Sequence, residues 1–150
     1  MTGQRSAPEA VRISFTRNIG IYDSALHEAE LYGERLAEDF SAAIRQEQFT
    51  IFYQPKFSVL SEIPVLSSAE TLVRWQHPEL EMISPAVFIP PFENNGLMQK
   101  LDTCVWQHAA AQIREWKNRS GVSVPVSVNA SRIDMYDPAL VETFQALLRE

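Results

Sequence analysis

Two short segments rich in aromatic and β-branched residues constrain the fold of this chain most. They read FTIFYQPKF from Phe49 and AETLVRW from Ala69, and SVLSEIPVLSS lies between them. Aromatic and β-branched residues favour strands, whereas serine, glutamate and proline between such runs are typical of a turn. The two segments therefore predict consecutive β-strands, the first of which ends at Pro55.

Amphipathic segments surround these strands. Helices are predicted over 22–46, from the Ser84-Pro85 start signal, over 97–117 and after Asp137-Pro138, and IPPFENNG is expected to interrupt the second. The segment GVSVPVSVNAS alternates valine with small residues and predicts a further strand that ends near Asn129. Helices that alternate with strands in this order are typical of an α/β fold with a parallel sheet.

The first helical segment has apolar or small residues at alternating spacings of four and three. They are Tyr22, Leu26, Ala29, Gly33, Leu36, Phe40 and Ala43. This heptad pattern fits a coiled-coil seam, and it fits equally a helix packed on its own domain. Residues 1–21 are predicted to be a tail or the end of a preceding domain, with RISF as a possible short strand.

Composition limits the classes of function. The chain has 150 residues and a formal net charge of -6, which disfavours non-specific binding of DNA, RNA or anionic membranes. Its single cysteine, Cys104, excludes an internal disulfide and fits a reducing compartment. Neither a secretory signal nor a membrane-spanning run is evident. We therefore expect a cytoplasmic protein that makes no membrane contact within this chain.

Polar residues on the predicted strands indicate a site. Because side chains alternate along a strand, Glu70, Leu72 and Arg74 share one face, and Asn129 lies at the end of another strand. Polar groups at strand ends converge in a barrel of βα units. Carboxylate and amide oxygens suit Mg²⁺ or Mn²⁺, and the arginine fork suits phosphate. Gln54 would add a neutral hydrogen-bonding group. The alternative is an ordinary ion pair between Glu70 and Arg74.

The remaining reactive residues carry no catalytic spacing. His77 precedes Pro78 and is interpreted as turn chemistry, His108 belongs to the long helix, and Cys104 is predicted to lie in the core without an activating neighbour.

Several motifs occur in one order: YQPK (53–56), ETLVRW (70–75), HPE (77–79), ISPAVFIPPFENNGL (83–97) and VSVNAS (126–131). Together they resemble the first half of an EAL domain, the bacterial family that hydrolyses cyclic di-GMP. The Glu-Ala-Leu of the family name reads Glu70-Thr71-Leu72 here. The preceding helix resembles the linker that joins a GGDEF domain to an EAL domain, so 22–46 is assigned to a linker and 47–150 to the N-terminal half of an EAL domain.

The resemblance implies a partial TIM-like (β/α) barrel, truncated at about half, with an antiparallel first strand. It implies two-metal hydrolysis of cyclic di-GMP to linear pGpG, with two Mg²⁺ or Mn²⁺ ions in the complete domain. Glu70 and Asn129 would be metal ligands, Arg74 would contact phosphate, and Gln54 and Leu72 would line the nucleotide site. Thr71 points away from that face, so its departure from alanine is expected to be tolerated.

The family's other metal ligands and its lysine have no counterpart in these 150 residues. This chain alone is therefore expected to be inactive and to associate, as a homodimer or otherwise, through exposed sheet edges or the first helix. The alternative is a degenerate EAL domain that acts as a nucleotide-binding or partner-binding signalling module.

Overall fold

The structure is a computed structural model that describes residues 24–60 and 62–149. Its elements are α1 (Ser24–Arg45), β1 (Phe49–Ser58), β2 (Val65–His77), β3 (Glu81–Ile83), α2 (Pro85–Asn94), α3 (Met98–Ser120), β4 (Val126–Ser127) and α4 (Leu140–Arg149). A 3-10 turn, Asp134–Tyr136, precedes α4. The predicted RISF strand and Tyr22 lie outside the described residues. No helix within the described ranges is both long and apolar enough to cross a membrane.

A mixed sheet is built around β2. The strand β1 pairs with it antiparallel, and β3 pairs antiparallel on its other side. The strand β4 pairs with β2 in parallel, which places Ser127 opposite Glu70. The helices α2 and α3 connect these parallel strands. The antiparallel first strand and the parallel βα unit are therefore confirmed.

The core is an aromatic cluster between the sheet and the helices α1 and α2. Its rings are those of Phe40, Phe49, Trp75, Phe88 and Phe92. The Phe40 and Phe92 rings meet edge to face at 5.0 Å, and Phe49 lies 5.2 Å from Trp75. Edge-to-face contacts suit the ring quadrupoles and add to the gain from burying apolar area. This cluster fixes one end of the β1–β2 hairpin.

The C-terminal half of α1 packs on its own domain. Gly33, Leu36, Phe40 and Ala43 are buried, whereas Ala29 is exposed. A Cβ placed on Gly33 would lie 3.1 Å from Cβ of Pro91, so glycine permits the close approach of α1 to α2. The alternative of a helix packed on its own domain is thus confirmed for this half, and association through the heptad pattern stays a prediction.

Several predicted elements differ in extent from the structure. The strand β1 does not end at Pro55 but continues to Ser58, and β2 begins at Val65, within the predicted turn. Proline is tolerated in β1 because this strand lies at the edge of the described sheet. Helix α2 is not interrupted at Pro90 and Pro91, because Phe88 and Phe92, one turn apart, are buried in the core and hold the helix there. The strand expected up to Asn129 is only two residues long. Pro125 has no N–H to donate, so it joins the sheet only through its carbonyl, which accepts the Ala69 N–H at 2.9 Å.

Candidate active site

Four of the five predicted site residues lie on the β1–β2 hairpin. Gln54 is directly opposite Glu70, and directly opposed residues of an antiparallel pair share a face. Leu72 and Arg74 follow on that face because the side-chain period is two. The other face is the covered one, since Ala69, Trp75 and Thr71 are buried there. Thr71 Oγ1 donates to the Ser127 carbonyl at 3.3 Å, as expected for a side chain that points away from the site.

Gln54, Leu72 and Arg74 line a single hollow. Its volume is about 500 Å³, and Phe52, Tyr53 and Met82 complete the lining. The hollow is shallow and open to solvent, and its lining combines apolar side chains with few polar groups, as small-ligand sites do. Burial raises the pKa of Tyr53, whose ring packs edge to face on Trp116 at 4.9 Å. The arrangement suits a flat, partly apolar ligand held by Gln54 and Arg74.

The guanidinium of Arg74 is oriented by its own strand. Its Nη1 donates a hydrogen bond to the Val73 carbonyl at 2.8 Å. The other N–H donors of the guanidinium are not used in this bond. Within the described ranges Glu70 does not pair with Arg74, so the alternative of an ordinary ion pair between them is wrong. A half-buried arginine at the hollow is well suited to an anionic group of a ligand.

Glu70 instead pairs with Lys56. The Lys56 Nζ lies 2.9 Å from Glu70 Oε2, and the glutamate side chain is 31% exposed. Lys56 is thus a neighbour of the site that was not predicted from the sequence. The period of two along β1 places Lys56 on the face of Gln54, but only the register of the hairpin brings it beside Glu70.

Asn129 comes from the neighbouring strand. The strand β4 places Ser127 level with Glu70, and Asn129 follows two residues later, just past the end of the strand. Asn129 is exposed, and its main-chain carbonyl oxygen accepts a hydrogen bond of 2.9 Å from the indole N–H of Trp106. The structure thus places Glu70 on β2 and Asn129 just past the end of the neighbouring strand β4.

Glu70 and Asn129 fit part of a divalent-cation site. Both offer hard oxygen donors, which Mg²⁺ and Mn²⁺ prefer. Residues 24–60 and 62–149 contain no group of three or more histidine, cysteine, aspartate or glutamate side chains able to hold a metal ion. A small divalent cation needs about six oxygens, so these two residues would supply a minority of its ligands.

Of the residues expected to be structural, His77 agrees with the prediction and Cys104 differs from it. His77 Nδ1 accepts the backbone N–H groups of Glu79 and Leu80 at 3.1 and 3.2 Å, which is turn chemistry. Because Nδ1 is an acceptor, the proton lies on Nε2, which donates to Asp39 Oδ2 at 3.2 Å. Cys104 is half-buried rather than in the core, and its Sγ lies 3.6 Å from Nδ1 of His108, a neighbour that the sequence did not indicate. Burial, and next the charge of Glu47, raises the pKa of its thiol. A raised thiol pKa opposes nucleophilic use.

Comparison with known proteins identifies the family. The profile of the EAL domain matches residues 37–150. The chain belongs to the EAL domain family. It is 35% identical over 124 residues to the cyclic di-GMP phosphodiesterase PA2567 of Pseudomonas aeruginosa. The matched segment covers 81% of this chain and 20% of that protein.

Solved EAL structures share the fold. The PaMucR phosphodiesterase in its c-di-GMP complex matches with a TM-score of 0.69 and 30% identity, over 77% of this chain and 46% of that one. The Xanthomonas citri FimX EAL domain in complex with c-diGMP matches with a TM-score of 0.67 and 25% identity, over 85% of this chain and 47% of that one. The fold is therefore α/β and forms part of a TIM-like barrel, and the chain spans less than half the length of these relatives.

Proposed function

We propose that this chain is the N-terminal portion of a bacterial cyclic di-GMP phosphodiesterase. The observation that carries the proposal is the shared hollow of Gln54, Leu72 and Arg74, with Glu70 directly opposite Gln54 on the same face. A membership in the EAL family and the names of the relatives support the substrate. The proposed reaction is hydrolysis of cyclic di-GMP to linear pGpG.

Each side chain has a role that its position supports. Arg74 would pair with a phosphate of the nucleotide, for which its fork geometry is suited. Gln54 would hydrogen-bond a polar edge of the nucleotide, and Leu72 would pack against its apolar surface. Glu70 and Asn129 would donate oxygens to divalent ions, for which we propose Mg²⁺ or Mn²⁺, two in the complete domain. When bound, such ions supply water activation and neutralise phosphate charge.

Lys56 and Glu70 form a pair that metal binding would have to rearrange. The carboxylate can serve a cation only after it turns away from the Lys56 ammonium or shares its second oxygen. Since both side chains are partly exposed, the pair itself is weak, of the order of 1 kcal/mol or less. A divalent ion would therefore displace Lys56 without a large penalty.

We further propose a cytoplasmic location and a homodimer as the assembled state.

Hydrolysis by the full-length product of the gene tests the proposal. We expect Mg²⁺-dependent conversion of cyclic di-GMP to pGpG, and a loss of at least about 100-fold in Glu70→Gln, since a ligating carboxylate becomes a neutral amide. Glu62→Gln, an exposed glutamate in the hairpin turn, is the matched control and should remain near wild type. Unchanged activity in Glu70→Gln would refute the metal-ligand role. The 150-residue chain alone should show no turnover.

A second candidate is a nucleotide-binding module without hydrolysis. The observation in its favour is the Lys56–Glu70 ion pair, which gives the carboxylate a cationic partner within the chain. The two candidates differ in a calorimetric titration of the full-length protein with cyclic di-GMP in EDTA. Binding in EDTA combined with no turnover in Mg²⁺ or Mn²⁺ would support the module and overturn the phosphodiesterase.

A further inference from the structure

Two buried carboxyl groups lie beside the segment that carries Asn129. Asp102 is on α3 and Asp134 is in the 3-10 turn, and only 6% and 1% of these residues are exposed. A buried carboxyl group is unfavourable unless its oxygens are hydrogen-bonded, so such a pair calls for a structural reason. Neither residue belongs to the candidate site described above.

Both carboxyl groups converge on Ser131, two residues after Asn129. The Ser131 backbone N–H lies 2.7 Å from Asp134 Oδ2 and 3.1 Å from Asp102 Oδ2. The Ser131 hydroxyl donates to Asp134 Oδ2 at 2.5 Å. Hydrogen bonds to a carboxylate are stronger than those between neutral groups. The backbone at Ser131 is therefore held from two directions.

A proton on one of the two carboxyl groups would suit this arrangement. Among the described residues Asp134 Oδ1 is buried and has no hydrogen-bond donor assigned to it. A hydrogen bond between the two carboxyl groups would satisfy it and requires that one group be protonated. Burial, and next the hydrogen bond and charge of Asp134, raise the pKa of Asp102 to about 7. Like charges on two neighbouring carboxyl groups favour one proton for the pair.

The same helix holds the other side of the segment. Trp106 lies one turn after Asp102 on α3, and its indole N–H donates to the Asn129 carbonyl at 2.9 Å. Side chains four residues apart on a helix share a face. One face of α3 thus contacts the main chain at both Asn129 and Ser131, on either side of Ala130.

We propose that Asp102 and Asp134 are positioning residues that, with Trp106, clamp the backbone of residues 129–131 and so aim the Asn129 carboxamide at the site. The inference rests on the proposed function for the role of Asn129. The clamp itself rests on the hydrogen bonds to Ser131 and Asn129. A ligand-bearing segment only two residues past a two-residue strand has little ladder to hold it, so the side chains of α3 and the 3-10 turn supply the rigidity.

Amide hydrogen exchange on the full-length protein tests the clamp without reference to activity. In Asp134→Ala we expect exchange in residues 129–132 to accelerate about tenfold, the effect of losing one charged hydrogen bond. Ser131→Ala removes only the hydroxyl group and should accelerate exchange in the same residues by about threefold. Asp137→Ala is the matched control. Its carboxylate accepts from Gln99 and the Ala139 N–H, not from Ser131, so the segment should exchange as in wild type.

The metal requirement tests the effect on Asn129. In Asp134→Ala the Mg²⁺ concentration for half-maximal activity should rise about tenfold, as is usual when support behind a ligand is removed. In Asp102→Asn this Mg²⁺ concentration should stay within about threefold of wild type. The amide oxygen can accept a hydrogen bond from Ser131, and the amide N–H can donate to Asp134 without protonation of either carboxyl group. Asp102→Leu should resemble Asp134→Ala.

The outcomes separate the two levels of inference. Wild-type exchange in both Asp134→Ala and Ser131→Ala would overturn the clamp. Faster exchange with an unchanged Mg²⁺ requirement would overturn its link to Asn129. If the wild-type protein does not hydrolyse cyclic di-GMP, the proposed function fails, and the exchange experiment still decides whether the clamp exists.

Discussion

The region where α1 and α2 pack on the sheet and the region of β4 and α4 differ greatly in their packing. Where α1 and α2 meet β1 and β2, the side chains of Trp75, Phe88 and Phe92 are 0% exposed. Where β4 and α4 lie, the strand has two residues and none of the described residues of α4 is buried. The main contact there joins Phe144 to Trp106, whose rings are 4.6 Å apart. Leu148, on the apolar side of α4, is 86% exposed.

The difference shows that the candidate site rests on unequal supports. Four site residues lie on the long β1–β2 pair, one end of which the aromatic cluster fixes: Gln54, Glu70, Leu72 and Arg74. Asn129 lies on the thinly packed side, where polar contacts from α3 take the place of a long strand and a covered helix. Regions with few buried apolar contacts open at lower free energy than the core. The precision of Asn129 therefore depends on hydrogen bonds, whereas that of the other residues depends on packing.

Truncation of one aromatic residue on each side gives the largest contrast. Trp75→Ala should lower the free energy of unfolding by about 3–5 kcal/mol, because it empties a fully buried site. Phe144→Ala, at a half-buried position, should lower it by about 1–2 kcal/mol. Urea denaturation followed by circular dichroism measures both. Equal losses would show that the β4–α4 side is packed as tightly as the aromatic side.

The pH dependence of stability isolates the polar side. The folded pKa of Asp102, about 7, exceeds its unfolded value near 4, so the folded state holds the proton more tightly. Stability from this group is complete below about pH 4 and is lost as pH rises towards 7, by at most about 4 kcal/mol. Asp134 and Ser131 are the polar groups that face it.

Asp102→Asn should remove this part of the pH dependence. Denaturation midpoints of wild type and variant, compared between about pH 4 and 8, measure the difference. If the two profiles were parallel across that range, Asp102 would not be the group that titrates.

A substitution on α1 tests the closeness of the packed side. Gly33→Leu should destabilise the protein by about 1–3 kcal/mol, since the new side chain would meet Pro91 of α2. Ala29→Leu, one turn earlier at an exposed position, is the control and should change stability by less than about 0.5 kcal/mol. A neutral Gly33→Leu would mean that α1 can move away from α2 without loss.

Much of the site was predictable because its pattern is local. The period of two along β2 placed Glu70, Leu72 and Arg74 on one face, and the structure keeps them there. The helix start at Ser84-Pro85 was equally visible in the sequence, with Ile83 and Phe88 both buried beside it. The roles of the five site residues came from the family resemblance and stay predictions.

Other features depended on the register and on distant contacts. Glu70 meets Lys56 rather than Arg74 because the hairpin register places Lys56 beside it, with an irregularity just after Lys56. Helix α2 runs through two prolines because its buried phenylalanines outweigh the lost hydrogen bonds. Neither effect is visible in the residues of one segment alone.

The sequence by itself determined the α/β order, the face that carries the candidate site and membership in the EAL family, because these follow from local periodicity and from motifs in a fixed order. Only the tertiary structure decided how Asn129 is held. Asp102 and Asp134 are far apart along the chain, and no local motif marks them. They become buried together around Ser131 only when α3 packs beside the end of β4. Burial then lets two ordinary aspartates hold this segment, since a buried carboxyl group is unfavourable unless its oxygens are hydrogen-bonded.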